Sequence, residues 1–286
     1  MIKKLILVTL YISLFLNQTY GQQTNLDQVK YTSTNKGKIF LYWGGNRGYF
    51  SKTDITFKGK DYNFTLNNMV AHDKPKGYHI DYINPFRMTI PQTNFRLGYF
   101  FTNHYNVSIG VDHMKYVVTK NQRANISGSI NLPDTETGAT FNGVYNDVPI
   151  FLTENFLEFE HTDGLNYINI EIARMDDLSK IFRIRNTDII QINLTEGISG
   201  GLLYPKTNAT LLGKKRHDDF HISGYGLSLK GGLNLTFLKY FFVQAELKGG
   251  YINMKDIRTT ESIEDRASQN FLFLERIIAV GGIFRI

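Results

Sequence analysis

Gly226-Leu227-Ser228-Leu229-Lys230-Gly231-Gly232-Leu233-Asn234-Leu235-Thr236-Phe237 alternates from end to end. Leu227, Leu229, Leu233 and Leu235 fall on one face, and Ser228, Lys230, Asn234 and Thr236 on the other. A period of two belongs to a β-strand, whose successive side chains point to opposite sides. The next segment repeats it, with Phe241, Val243, Ala245 and Leu247 against Phe242, Gln244, Glu246 and Lys248. The last sets Ile278, Val280, Gly282, Phe284 and Ile286 against Ala279, Gly281 and Arg285. Each runs ~10 residues or more, the length of a strand that crosses a bilayer. No amphipathic helical stretch matches them in strength.

Composition narrows the class. The chain has 286 residues, no cysteine, 17 Tyr, 21 Phe, one Trp and 25 Gly. Without cysteine there is no disulfide framework, thiolate zinc site, cysteine nucleophile or lipoprotein anchor. With 42% hydrophobic and 14% aromatic residues the chain is not a disordered tail. Long apolar runs are scarce, which excludes a helical membrane protein. The exception is the start: Lys3 and Lys4 precede a twelve-residue apolar stretch, Leu5 to Leu16. That is short for a spanning helix, which needs ~20 residues. It reads as a Sec signal peptide over 1–21, with cleavage at Gly21|Gln22 and small Thr19 and Gly21 before the cut. Its removal lowers the formal charge of +6 by the two lysines, to +4. Residues 22–36 read as a periplasmic lead-in and 37–286 as one domain. An exported chain with no dense basic stripe is not a nucleic-acid binder.

Long alternating strands suit either a soluble sandwich, with the apolar face inside, or a membrane barrel, with it against lipid. Export and aromatic clusters at strand ends (Tyr99-Phe100-Phe101, Tyr240-Phe241-Phe242) favour the barrel. The terminal Phe284-Arg285-Ile286 resembles the C-terminal targeting strand of bacterial outer-membrane proteins, with Ile in place of the usual Phe. Turn chemistry places the strands. Around Thr102-Asn103-His104, Phe95, Leu97, Tyr99 and Phe101 face Tyr105, Val107, Ile109 and Val111, and Arg96 shares the other face with Asp112. Asp163-Gly164 suits a two-residue type I′ turn, which would set Phe159 opposite Ile168 and Leu157 opposite Ile170. With short periplasmic turns and long outer loops (51–88, 121–150, 205–218, 256–269), parity asks for one more turn in 176–204. Thr195-Glu196-Gly197 is preferred there, and Asn186-Thr187-Asp188 is the alternative. The expected fold is an all-β, antiparallel transmembrane β-barrel of about ten strands with long extracellular loops; eight and twelve are the neighbouring solutions.

Alternation sends Arg96, Asp112, Glu154, Glu158, Glu160, Glu171, Lys230, Glu246, Lys248, Glu275 and Arg285 into the lumen. Charges between low-dielectric walls should pair, Arg96 with Asp112 and Lys230 with Glu246 being within reach. Side chains can fill so small a barrel, so the network reads first as structural and second as a narrow ion or proton path.

No nucleotide loop, metalloprotease helix or nucleophile elbow is present. The best catalytic candidates are Asp219, His221 and Ser223 in Asp218-Asp219-Phe220-His221-Ile222-Ser223. Asp-x-His can orient a base, and His-x-Ser sets a base beside a nucleophile. Asp219 and His221 resemble the Asp–His pair of omptin proteases, although the omptins' partner acidic pair is not recognisable here. His221 and Ser223 resemble the pair of lipid A 3-O-deacylases, with Gly224 where those carry Asn. Alternation would turn His221 and Ser223 towards lipid. Glu246 lies some nine residues from His221, ~30 Å at strand rise, and cannot close a triad. His72-Asp73 sits in a loop, Asp112 and His113 point to opposite faces, and His161 closes the Asp-Gly turn.

The whole mature chain resembles outer-membrane β-barrel proteins of the Bacteroidota type in texture, without a diagnostic motif. The resemblance implies a Gram-negative outer membrane, lipid as surroundings and the barrel assembly machinery as insertion partner. It implies no activity. No cofactor and no metal is expected, and other protein partners are not legible. The leading expectation is a closed, non-enzymatic barrel with a binding, structural or narrow-solute role. The alternative is an outer-membrane hydrolase acting on lipid A or surface substrates through Asp219, His221 and Ser223.

Overall fold

The computed structural model describes residues 30–77, 79, 91–215 and 220–285, and its main compact unit begins at Thr32. The expected signal peptide lies outside the described residues. Fifteen strands follow in order: β1 (Lys38–Phe50), β2 (Thr53–Lys58), β3 (Tyr62–Met69), β4 (Ala71–His72), β5 (Thr93–Phe100), β6 (Tyr105–Val118) and β7 (Arg123–Ile130). Then come β8 (Gly143–Phe151), β9 (Leu157–Asp177), β10 (Ile190–Leu203), β11 (Asn208–Leu211), β12 (Lys214–Lys215), β13 (Gly224–Phe237), β14 (Phe241–Arg258) and β15 (Arg266–Arg285).

Eight of them close a ring in the order β1-β5-β6-β9-β10-β13-β14-β15, all antiparallel, with β15 returning to β1. The register defines its stagger. Stepping across the ladder from Phe40 leads through Gly98, Ser108, Glu171, Ser199, Ser228, Gly250 and Phe273 and returns to β1 at Phe50. Ten residues separate the two ends of that circuit (50 − 40), so the strands tilt as closure of a sheet requires. The turns at 101–104 and 238–240 and the 178–189 link lie at one end, here called lower; the connections that follow β1, β6, β10 and β14 lie at the upper end.

Eight strands, rather than the expected ten, follow from two corrections. Asp163-Gly164 is not a hairpin turn. β9 runs through it, and β6 meets β9 with a register shift between Met114↔Leu165 and Tyr116↔His161. Gly164 takes φ +132°, so the Asp-Gly dipeptide supplies a β-bulge rather than a reversal. Phe159 accordingly pairs with Ala209, while Ile168 lies between Val111 and Leu202. Thr195-Glu196-Gly197 is likewise mid-strand in β10, and the reversal falls in 178–189, which contains Asn186-Thr187-Asp188. The 102–104 hairpin has the expected register, with Tyr99↔Val107, Leu97↔Ile109 and Phe95↔Val111.

β6, β9, β14 and β15 invert their polarity partway up. Below the bulge of β9, Ile168, Ile170 and Ile172 are exposed outside while Asn169 and Glu171 are buried inside. Above it, Leu157 and Phe159 are buried inside and Glu158 and Glu160 lie outside. On β14, Gln244, Glu246 and Lys248 give way inside to Ile252, Met254 and Ile257; on β15, Glu275 gives way to Phe273 and Phe271. The lower part therefore has the inside-out polarity of a transmembrane barrel. The upper part has the ordinary polarity of a watery protein. There β2, β3, β7 and β8 extend the sheet from β15, and their Ile55, Phe57, Phe64, Leu66 and Ile126 share one apolar core with the upper ring strands.

Candidate functional site

The tilt and the alternation bring seven charged side chains to one level inside the ring. They are Arg96 on β5, Asp112 on β6, Glu171 on β9, Lys230 on β13, Glu246 and Lys248 on β14, and Glu275 on β15. Lys230 Nζ lies 2.7 Å from Glu171 and 2.8 Å from Glu246, as the sequence pairing of Lys230 with Glu246 anticipates. Lys248 Nζ lies 2.8 Å from Asp112 and 3.8 Å from Glu171. Arg96 faces Glu171 at 3.6 Å instead of pairing with Asp112. Asn169 joins those two: it accepts from Arg96 Nη2 at 2.7 Å and donates to Asp112 Oδ2 at 2.9 Å. Arg96 Nε also donates to the Tyr42 hydroxyl at 3.1 Å. Three cations thus meet four carboxylates. Among the described residues Glu275 makes no ion pair, although Lys248 is its cross-strand partner, because that ammonium turns to Asp112.

Hydrogen bonds carry this belt towards both ends. Upward, Asn94 donates to Asp112 at 2.7 Å, Asn46 to Asn94 at 2.8 Å, and Gln92 to Asn46 at 3.2 Å and on to Asp73 in the loop after β4. Downward, Gln244 donates to Glu246, Asn234 to Gln244 at 2.8 Å, and Asn193 to Asn234 at 3.3 Å. The column is packed solid. Arg96, Lys248 and Glu275 are fully buried, and the cavity beneath them, lined by Phe40, Phe100, Thr195 and Phe242 among others, measures about 20 Å³. That holds about one water. Above the belt, Tyr116 stacks on Phe271 and Phe50 meets both rings edge-on, with centroids 4.8–5.7 Å apart.

Four of the residues expected in the lumen lie elsewhere. Glu154 and Glu158 meet Lys120 at the upper end, and Glu160 meets Lys74 at 3.2 Å. Because β9 runs through 163–164 without reversing, Glu158 and Glu160 share the outer face with Ile168 and Ile170, and Glu154 precedes the strand. Arg285 is exposed at the lower end, where it donates to Thr34 Oγ1 at 3.0 Å.

At the upper rim, Asp219 lies outside the described residues. His221 Nε2 stands 2.8 Å from Asp256 Oδ2, and Arg266 Nη1 stands 2.7 Å from the other oxygen of that carboxylate. Asp256 is aimed there by an irregularity in β14 between Met254 and Ile257, where both Lys255 and Asp256 N–H donate to the Ser223 carbonyl. A bulge breaks the alternation that would have revealed it. The Ser223 hydroxyl is not brought to the imidazole; it donates to the His221 carbonyl at 3.4 Å and is almost fully buried. The lower rim repeats the same trio. His104 Nδ1 lies 2.9 Å from Asp176, and Arg174 Nε 2.7 Å from its second oxygen. The same His–Asp–Arg arrangement thus stands at both rims. His161, expected in a turn, is buried against Tyr116 and Phe159, with Nδ1 2.9 Å from Thr207 and Nε2 3.1 Å from Gln269.

No protein-family model and no curated protein matches the chain. Among solved structures it is similar to Ail, the attachment invasion locus protein of Yersinia pestis, at 10% identity and a TM-score of 0.30, covering 87% of this chain and 99% of that one. It is similar to the outer membrane protein OprG of Pseudomonas aeruginosa at 7% and 0.37, covering 89% and 99%. It is also similar to Neisserial surface protein A, at 10% and 0.33, covering 86% and 97%.

Proposed function

We propose that the chain is an integral outer-membrane protein in which the barrel is a closed anchor and the upper cap is the working surface, displayed outside the cell to bind a partner. The inversion of strand polarity carries this reading. It marks a band, apolar outside and with a charged belt above a small apolar cluster (Phe40, Phe100, Phe242) inside, bounded below by Tyr99, Phe101, Tyr105 and Phe241 and above by Tyr49, Tyr204 and Tyr225, all exposed. Aromatic girdles of this kind sit at membrane–water interfaces. The filled interior supports an anchor rather than a pore, and the separation of the Ser223 hydroxyl from His221 supports a non-enzymatic role.

The absence of cysteine allows a direct test in cells. Val144→Cys on β8, at a site 89% exposed, should react with a membrane-impermeant maleimide on intact cells. Phe182→Cys in the lower 178–189 turn should react only after permeabilisation. The reverse pattern overturns the orientation, and labelling of neither site without lysis overturns surface display. Purified protein in a planar bilayer should be electrically silent; steady conductance would replace the anchor with a channel.

A further inference from the structure

Above the upper girdle, the outward face of the sheet is lined by amides and hydroxyls. On β14 the outward series Leu247, Gly249 and Tyr251 is followed by Asn253, and on β15 Leu274 and Leu272 give way to Asn270 and Ser268. Asn253 and Asn270 are direct cross-strand partners, and Asn253 Nδ2 donates to the Tyr225 hydroxyl of the girdle at 3.4 Å. The cap carries the same chemistry onward. Ser268 pairs with Thr56 on β2, Thr56 with Thr65 on β3, and Thr65 with Ser127 on β7. On either side of that row, Asn63 pairs with Ser129 and Asn67 with Asn125. The residues between them, Ile55, Phe57, Phe64, Leu66 and Ile126, point the other way into the core. Within the face, the carboxylates of Asp54 and Asp147 accept from Asn68 N–H at 2.8 Å and Asn125 Nδ2 at 2.9 Å. Lys58, Arg123 and Arg266 stand at its margins. Asparagine is depleted in strands because its amide competes with the backbone, and opposite charges would serve a solvated ladder better. Asn63, Ser129 and Asn270 are nevertheless exposed, and their side chains make no hydrogen bond among the described residues.

We infer that this face binds the neutral sugars of a glycolipid held in the outer leaflet beside the barrel, an inference that rests on the surface display proposed above. Hydroxyls and primary amides both donate and accept, as the hydroxyls of a sugar do. A face whose interior carries no cation does not select a polyanion. One built from Ser, Thr and Asn without aromatic anchors does not resemble the centre of a protein interface, where Ser is depleted. The strands hold the donors in place before binding, so little ordering is lost on contact. Continuity with the lipid-facing wall selects a glycolipid over a free saccharide. The amide pair Asn253–Asn270 stands one outward position above Tyr251 and Leu272, on the same side of the same two strands. Tyr251 and Leu272 in turn border an outward groove of about 680 Å³, walled also by Ile198 and Leu227, with Gly200 and Gly249 leaving its floor bare of side chains. An acyl chain in that groove sets the first sugar at the amide pair and the next at the Ser268–Thr56–Thr65–Ser127 row, ~7 Å further along β15.

Val144, the cross-strand partner of Ser129, borders the face and is 89% exposed, so Val144→Cys can carry an environment-sensitive fluorophore there. The experiment inserts the labelled full chain, its folding verified by heat-dependent gel mobility, into phosphatidylcholine vesicles. These contain rising fractions of either lipid A or a lipopolysaccharide with its core oligosaccharide. The core-bearing glycolipid should shift the label's emission at a lower fraction than lipid A does. Asn270→Ala should weaken that response by about fivefold, and Asn63→Ala with Asn270→Ala by about 25-fold. Asn155→Ala, in the loop before β9, should leave it intact. Gly249→Leu fills the groove, where a Cβ meets only Leu274 and the Phe273 carbonyl at 3.7 Å, and should weaken the glycolipid response without affecting folding. Equal responses to the two lipids, or a preference that survives the double variant, overturns the sugar face alone. Released core oligosaccharide that binds as tightly as the glycolipid, with Gly249→Leu having no effect, assigns the face to a soluble saccharide and overturns the glycolipid. Failure of an impermeant maleimide to reach Val144→Cys on intact cells overturns the display reading, and the site with it.

Discussion

Lys248→Met is the sharpest test of the buried belt. The ammonium is fully buried, 2.8 Å from Asp112 and 3.8 Å from Glu171, and next to Glu275 in the ladder. Methionine keeps the volume and the unbranched stem, so packing changes little. The charge count changes a great deal, from three cations against four carboxylates to two against four. Removing one partner of a buried pair leaves an uncompensated charge and costs about 3–5 kcal/mol. That corresponds to about two to three and a half decades in the ratio of folded to unfolded protein. Adding Asp112→Asn to Lys248→Met removes the stranded carboxylate. One of the two amide donors, Asn94 or Asn169, then loses its acceptor, a cost of about 1 kcal/mol. The double variant should therefore be more stable than Lys248→Met alone, with a coupling of at least about 2 kcal/mol in a double-mutant cycle. Urea unfolding in lipid vesicles, followed through Trp43 fluorescence, reads all four corners. Additive losses, or a single-variant loss below about 1 kcal/mol, would refute the belt as a coupled electrostatic unit.

Three further outcomes follow from local geometry. A Cβ at Gly201 would lie 1.9 Å from the Ile168 carbonyl oxygen, whereas one at Gly231 meets nothing within 4 Å. Gly201→Ala should lower the urea midpoint by well over the equivalent of ~1 kcal/mol and Gly231→Ala should leave it within ~0.5, and equal midpoints would contradict the register of β9 and β10. His161 lies beyond Ile168, the last lipid-facing side chain of β9, and burial pushes its pKa down to about 3. The unfolded chain binds that proton from about pH 6.5 downward, so stability falls on acidification between about 6.5 and 3, by up to about 1.4 kcal/mol per pH unit. His161→Gln should flatten that slope, and an unchanged slope would place the histidine in water. His221→Ala and Ser223→Ala should leave the lipid A mass spectrum of an expressing host as it is with the unaltered protein; a mass change brought by the unaltered protein and lost in either variant would restore the hydrolase.

The alternation of β13, β14 and β15 is legible because lipid and lumen impose opposite demands on successive residues. The same rule, applied to even positions of β1 and β5, points inward at Tyr42 and Arg96 without any tertiary knowledge. Asp163-Gly164 misleads for a definite reason. A two-residue turn and a β-bulge both call on glycine at positive φ, and apolar residues flank the dipeptide with period two in either case. What distinguishes them is the change of polarity across it, from Glu158 and Glu160 outside to Ile168 and Ile170 outside, which a reversal at one level of the membrane would not produce. Asp256 stays hidden because a bulge sets its direction, and Arg266 because its partner is known only once Asp256 is.

The inversion of polarity also explains why the cap is not a set of loose loops. A closed barrel in a membrane needs a polar interior only where its exterior must be apolar. Once the strands of this chain pass the upper girdle, that constraint lifts, and they bury Phe159, Met254 and Phe271 in the way a soluble sheet does. The added strands β2, β3, β7 and β8 bring their own apolar face to the same core. Ring and cap thus share a single hydrophobic cluster, and the cap cannot swing without exposing it. The charged belt beneath does the complementary task, since its pairs are satisfied only in one stagger: a shift of β13 against β14 would part Lys230 from Glu246. A surface held so firmly relative to the membrane suits recognition by shape. Its outermost strand, β8, pairs among the described residues with β7 alone and is blunted by Pro149 and by Asp147 at positive φ. Those two residues interrupt the edge that β8 leaves unpaired among the described residues, which, with the cap displayed as proposed, works against edge-to-edge pairing of neighbouring copies.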